Sequence, residues 1–215
     1  MGAKTWMLVY SNGSAKAALG TSPVLDREAS AELAKRLFPS EKLESLLDGT
    51  LSFTNPPDDE LVVGSVSGVS IVAAKEFAID RPSQLPAVFL SQAPPGITYL
   101  HAMHSVVDWF AFAVWENSKL LRSLSLSPDS GIVEDIGDKL PFEEPFWAGK
   151  HPAIDPDEED DDYPFPFHPL ELGEAALAEF FGYQLEGFVD PSLLEPEQIP
   201  LLRFKRTKAS WWKRW

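Results

Sequence analysis

The sequence predicts an α+β fold with a largely antiparallel sheet, and three observations predict it. Residues 109–127 have hairpin chemistry, an aromatic run broken by Asn117-Ser118 and followed by clean alternation. Apolar residues recur at helical spacing around 26–38, 83–92 and 170–183. No repeat of fixed period is visible, which argues against a solenoid or a propeller.

Each element follows from local chemistry. Residues 5–10 are a β-branched and aromatic run ending in Ser11-Asn12-Gly13, so they read as a strand and turn. Asp26 is placed to cap a helix in which Ala29, Leu33 and Leu37 form the apolar line, stopped near Pro39. Residues 41–47 suit one further helical turn, although Leu43 stands where a capping box would need an acid. Asn55-Pro56-Pro57 breaks structure, and 61–74 then reads as one or two strands punctuated by Gly64 and Gly68. Pro82 opens a helix with Leu85, Val88 and Phe89 inside, ending before Pro94-Pro95. Late in the chain, Leu172, Ala175, Ala176, Leu177, Phe180 and Phe181 mark a helix that Gly182 or Gly187 would cap. A short strand or extended tail is expected at 199–204.

In the hairpin, a two-residue turn at Asn117-Ser118 would set Glu116 opposite Lys119, Val114 opposite Leu121, Phe112 opposite Ser123, Phe110 opposite Ser125 and Asp108 opposite Ser127. Trp109, Ala111, Ala113 and Trp115 would then face Leu126, Leu124, Arg122 and Leu120, a main core in which the alanines leave room for a helix. Carrying the two-residue period backwards puts His104 on the face of Asp108 and His101 on that of Trp109, unless a bulge intervenes. The hairpin is expected at the centre of the sheet.

Composition bounds the rest. The 215 residues and 44% apolar content suit a single domain over 1–190, with an extension at 191–215. A block of like charge at 155–163 reads as a solvated acidic loop. No apolar run is long enough to span a bilayer, the start lacks the pattern of a secretory signal, and cysteine is absent; together these place the protein in the cytoplasm. A net charge of −15 would repel DNA, RNA and anionic lipid. The exception is the basic tail, where Arg203, Lys205, Arg206, Lys208, Lys213 and Arg214 interleave with Trp211, Trp212 and Trp215, a composition that suits an anionic surface.

The opening GAKT, the central RPSQLP, and above all HAMHSVVDWFAFAVWE, RSLSLSPDSGIVEDIG, LPFEEPFWAG and FHPLELGEAAL together resemble an uncharacterised bacterial family, a domain of unknown function. These blocks run from Gly2 to about Gly187. The resemblance implies no activity to transfer, and the acidic loop and Trp-rich tail look like additions peculiar to this member.

Candidate chemistry concentrates at one end of the hairpin. A hydrolase needs a hydroxyl, an imidazole base and an orienting carboxylate, and Ser127, His104 and Asp108 could supply them, with Ser130 as the alternate nucleophile. No G-x-S-x-G elbow accompanies them. A metal site would draw on His101, His104 and Asp108, helped by Glu134, Asp135 or His168. The Ser11–Ser14 turn with Lys16 could offer amides to a phosphate, but it lacks P-loop and Rossmann spacing. Pro145-Phe146-Trp147 and the run at 164–167 suggest an aromatic groove for a protein or peptide partner. With no complete catalytic motif and no cofactor signature, the expected function is a non-enzymatic cytoplasmic binding module. The alternative is a hydrolase or metal-dependent enzyme centred on His104, Asp108 and the turn at 127–131.

Overall fold

The computed structural model describes residues 2–21, 23–66, 68–153, 163–187 and 190–208. All its strand pairings are antiparallel. In sequence order the strands are β1 (Lys4–Ser11), β2 (Glu41–Ser45), β3 (Gly49–Thr50), β4 (Glu60–Val66), β5 (Val69–Ala73), β6 (Ile97–His104), β7 (Trp109–Glu116), β8 (Lys119–Ser127), β9 (Gly131–Ile136) and β10 (Pro200–Lys208). They form one sheet in the order β2-β10-β4-β5-β1-β6-β7-β8-β9, with β3 also pairing to β10. The middle strand is therefore β1, and the β7–β8 hairpin expected there stands near the β9 edge.

Helices cover both faces of the sheet. On one face Trp6, Leu8, Tyr10, Val63, Val72, Leu100 and Trp115 pack against Leu33, Ala34 and Leu37 of α2 (Arg27–Leu37) and Phe89 of α3 (Ala87–Ser91). On the other, Met7, Val9, Ile71, Phe110, Phe112 and Leu124 pack against Leu19 of α1 (Ala15–Leu19), Phe146 of α4 (Glu144–Trp147), and Leu172, Ala176 and Leu177 of α5 (Pro169–Phe180). A strand covered on both sides must be apolar on both, which is why β1 reads as an unbroken hydrophobic run.

The helix starts obey capping chemistry. Asp26 accepts the Ala29 N–H at 2.9 Å and opens α2, as its position predicts. Pro169 begins α5, and the side chain of His168 takes the cap position before it. The helix expected at 83–92 is split into a 3-10 turn, Pro82–Gln84, and the short α3, because Pro86 interrupts it.

One expectation fails because of distant pairing. Residues 41–45 are strand rather than helix: β2 pairs with β10, and Arg206 of β10 reaches Glu41 at 2.7 Å. The short strand or extended tail expected at 199–204 is the strand β10, and it lies inside the sheet between β2 and β4. Leu201 enters one core, and Leu202 and Phe204 enter the other. The rest of the basic tail, 209–215, and residues 155–162 of the acidic loop lie outside the described residues.

The hairpin register also differs. Asn117 and Ser118 have φ of 49° and 66°, both left-handed as a two-residue turn of the mirror-image type requires. Glu116 pairs with Lys119 and Trp115 with Leu120 as predicted, but a bulge then shifts the ladder by one residue. Val114 faces Arg122, Phe112 faces Leu124 and Phe110 faces Leu126, so Ser123 and Ser125 oppose Ala113 and Ala111. Since side chains alternate with period two, a single extra residue at Leu121 moves the whole serine stripe to the opposite face.

Candidate functional site

A cavity of about 940 Å³ opens between α4, the first turns of α5 and residues 184–187. Its apolar wall includes Phe142, Pro145, Phe146, Leu170 and Ala175. Part of the predicted aromatic groove is thus present. Phe165 and Phe167 instead fill the core beneath α5, while Trp147 packs edge-on against Phe167.

Among the polar lining residues, Glu174 is the most constrained. It lies on the inward stripe of α5, where Gly173, Ala176 and Leu177 pack on the sheet, and it is only 7% exposed. Gly182, at φ 81°, turns the chain back past the helix and delivers the amides of Leu185 and Glu186 to the carboxylate, at 2.7 and 3.2 Å. Burial pushes the carboxyl up to about 7, with Glu186 adding in the same direction, against the pull of the two amides. A carboxyl that titrates near neutrality inside an apolar cleft is a recurrent mark of a functional site.

His168 and His151 stand across the cleft. Nδ1 of His168 accepts the Leu170 N–H at 3.3 Å, so the ring hydrogen sits on Nε2, 3.7 Å from Oδ2 of Asp108. Asp108 therefore lies near a histidine, but a different one from that expected. Tyr163 stacks on His168, and burial pushes its hydroxyl up to about 12, helped by Asp108 and Glu171. His151 stacks on Phe146 with ring centroids 4.3 Å apart.

The expected catalytic set is divided between two places. His104, Ser127 and Ser130 line a separate hollow of about 350 Å³ together with Trp6, Lys75 and Trp109. Asp108 does not line it. The strand period fails across 105–108 because the chain reverses there, with Asp108 at φ 46°. His104 consequently pairs with Trp109, and His101 joins the face of Phe110 and Phe112; the two histidines are separated as expected, with their faces exchanged.

The local hydrogen bonds also oppose hydrolytic roles. Nδ1 of His104 accepts the Val106 N–H at 3.2 Å, which leaves Nε2 protonated and unable to act as a base. Burial lowers its pKa, helped by Lys4 and Lys75. Ser127 uses its hydroxyl oxygen to accept the Ser130 N–H at 3.2 Å, a turn function.

The proposed metal ligands are not brought together. Among the described residues no group of three or more His, Asp or Glu side chains could hold an ion. His101 is fully buried, pushed down to about 4 by burial, and its Nε2–H donates to the Gly173 carbonyl at 3.0 Å. Glu134 receives the Ser83 amide at 2.9 Å and also bonds Ser123, while Asp135 pairs with Arg122. In the Ser11–Ser14 turn, Ser14 caps α1 by accepting the Ala17 N–H, and Ser11 accepts that of Gly13. Those amides are spent within the turn.

Glu174 and Glu171 escaped the sequence reading, although one signal was present. In LELGEAALAEFF, Glu174 interrupts the apolar stripe at an inward position, and an acid there requires a partner or a function.

A family profile matches residues 5–204, and the chain belongs to that family, described as a family of unknown function (DUF6928). No curated protein and no solved structure matches the chain.

Proposed function

Since membership in this family brings no activity with it, we propose from the geometry that the protein is a binding module, and that it holds a small, largely apolar ligand in the cleft between α4 and α5. The observation that carries this reading is a cavity of about 940 Å³ whose walls are aromatic and aliphatic. Ligand sites share this character, predominantly apolar with a few convergent polar groups, and commonly measure about 300–1,000 Å³. A cytoplasmic address belongs to the proposal and is compatible with a chain that has no cysteine.

The test uses N-phenyl-1-naphthylamine, an uncharged dye that brightens in apolar surroundings. Saturable brightening is expected with the wild-type protein. Ala175→Trp, which projects a large ring into the cavity, should abolish it while leaving the unfolding midpoint near that of wild type. Saturable brightening that survives Ala175→Trp would place the dye elsewhere and sink this reading.

A hydrolase centred on His104, Ser127 and Ser130 is the second reading, favoured by their sharing one hollow. It requires the His104 ring to give up the Val106 amide and take the other tautomer. Turnover of p-nitrophenyl acetate that disappears in both Ser127→Ala and Ser130→Ala would support it.

A further inference from the structure

Resting on the reading of the cleft as a binding site, we propose that its ligand carries a cationic amine at one end of an apolar body and that Glu174 selects for that charge. The carboxylates of the cleft are its only fixed charges among the described residues. Glu171, Glu174 and Glu186 line it together with Gln184 and two histidines, and no lysine or arginine does so among the described residues. An anion would meet three carboxylates and no fixed counter-charge.

The start of α5, whose free amides could otherwise attract an anion, is already satisfied. Leu170 N–H is taken by the His168 ring, and the N–H groups of Glu171 and Leu172 are taken by the His168 carbonyl. Glu174 retains acceptor capacity, since each of its oxygens receives one amide and a carboxylate offers about four lone-pair sites.

Burial holds a proton on Glu174 up to about pH 7, and an arriving ammonium can take over that role. The exchange balances: the carboxyl releases its proton to solvent, and the carboxylate then accepts an N–H from the ligand. The other groups facing Glu174 are Glu171 on its own helix, Tyr183 and Glu186 on the segment that follows, and His151 and His168 across the cleft. Because these groups share the cleft, pH dependence alone does not assign the effect to Glu174.

Three probes of similar size separate the possibilities: 2-phenylethylamine, 2-phenylethanol and 3-phenylpropanoate, measured by calorimetry on the full chain. At about pH 8 the amine should bind about tenfold or more tightly than the alcohol, as expected when a charge-assisted hydrogen bond replaces a neutral one. Near pH 5.5 the advantage should shrink to about threefold or less, as the proton competes. At about pH 6, where burial still keeps Glu174 protonated, comparing two buffers of different ionisation enthalpy should reveal proton release with the amine and none with the alcohol. Glu174→Gln should erase the preference of the amine over the alcohol; should that variant fail to fold, the wild-type comparisons still decide. If the alcohol or the propanoate matches the amine at the higher pH, or the amine binds without proton release, the charge assignment falls and the apolar-cleft reading stands. If none of the three binds, both fall.

Discussion

Glu174 links stability to pH in a direction that can be stated in advance. Its carboxyl is raised in the folded chain to about 7 from an ordinary value of 4.5, so the folded state holds the proton more tightly than the unfolded one. The contribution is fully present below about pH 4.5 and is lost as pH rises through about 7, an effect of up to about 3 kcal/mol. Urea midpoints of wild type and Glu174→Gln between about pH 5 and 8 should therefore converge or cross, with wild type losing stability relative to the variant. A constant gap would show that burial of this side chain does not govern its titration. Arg122 presents the opposite problem, a fully buried cation. Glu143 grips it through two bonds, at 2.9 and 2.7 Å, and also accepts the Leu140 amide at 2.8 Å. Glu143→Ala should cost about 3–5 kcal/mol by removing the buried partner of that charge and leaving only the more exposed Asp135, and adding Arg122→Met should recover much of the loss. If the double variant were no more stable than the single one, the lost Leu140 contact rather than the half-paired guanidinium would be the cause.

Among the elements, the β8 bulge shows both how the sheet is specified and why sequence alone misplaced it. Nothing in Lys119–Ser127 marks Leu121 as the extra residue, because a clean alternation fits either register. The information lies sixteen residues downstream, at Gly137. A Cβ there would come within 2.0 Å of the Leu121 carbonyl, and the φ of 82° already favours glycine. Gly137→Ala should destabilise the fold by at least about 1–3 kcal/mol, seen as a lowered unfolding midpoint, because both the left-handed backbone and the close approach are lost. An unchanged midpoint would mean that the bulge does not depend on this contact. Elements whose signals are local fared better: Asp26 caps α2, and the apolar stripe of α5 begins beside Pro169, so both helices were legible within a few residues. The candidate site was only partly legible, because it depends on which way a turn reverses. Asp108 meets His168 and not His104 because the chain turns at 105–108, and local alternation carries no information about that reversal.

At the scale of the whole molecule, the least legible feature is the return of the chain to the sheet. Strand β10 pairs with β2 at Phe204–Ser45 and with β4 at Phe204–Leu61, so its partners are far away in sequence and one strand joins two segments that do not pair with each other. Its residues read as a short strand or extended tail when considered alone, with no sign of which strands they would join, and Leu201, Leu202 and Phe204 are all buried, on both faces of the sheet. Removing it would open the edges of β2 and β4 and uncover apolar surface in both cores, at about 25 cal/mol per Å². A chain ending at Glu195 should consequently show no cooperative unfolding transition by circular dichroism. Adding a synthetic peptide of residues 196–208 in trans should restore that transition, because the missing strand would supply its own ladder and its own core residues. The alternative outcome is equally readable. If the shortened chain unfolds cooperatively with an undiminished midpoint, then β10 decorates a sheet that is already complete without it, and the chain's last strand contributes little to its stability.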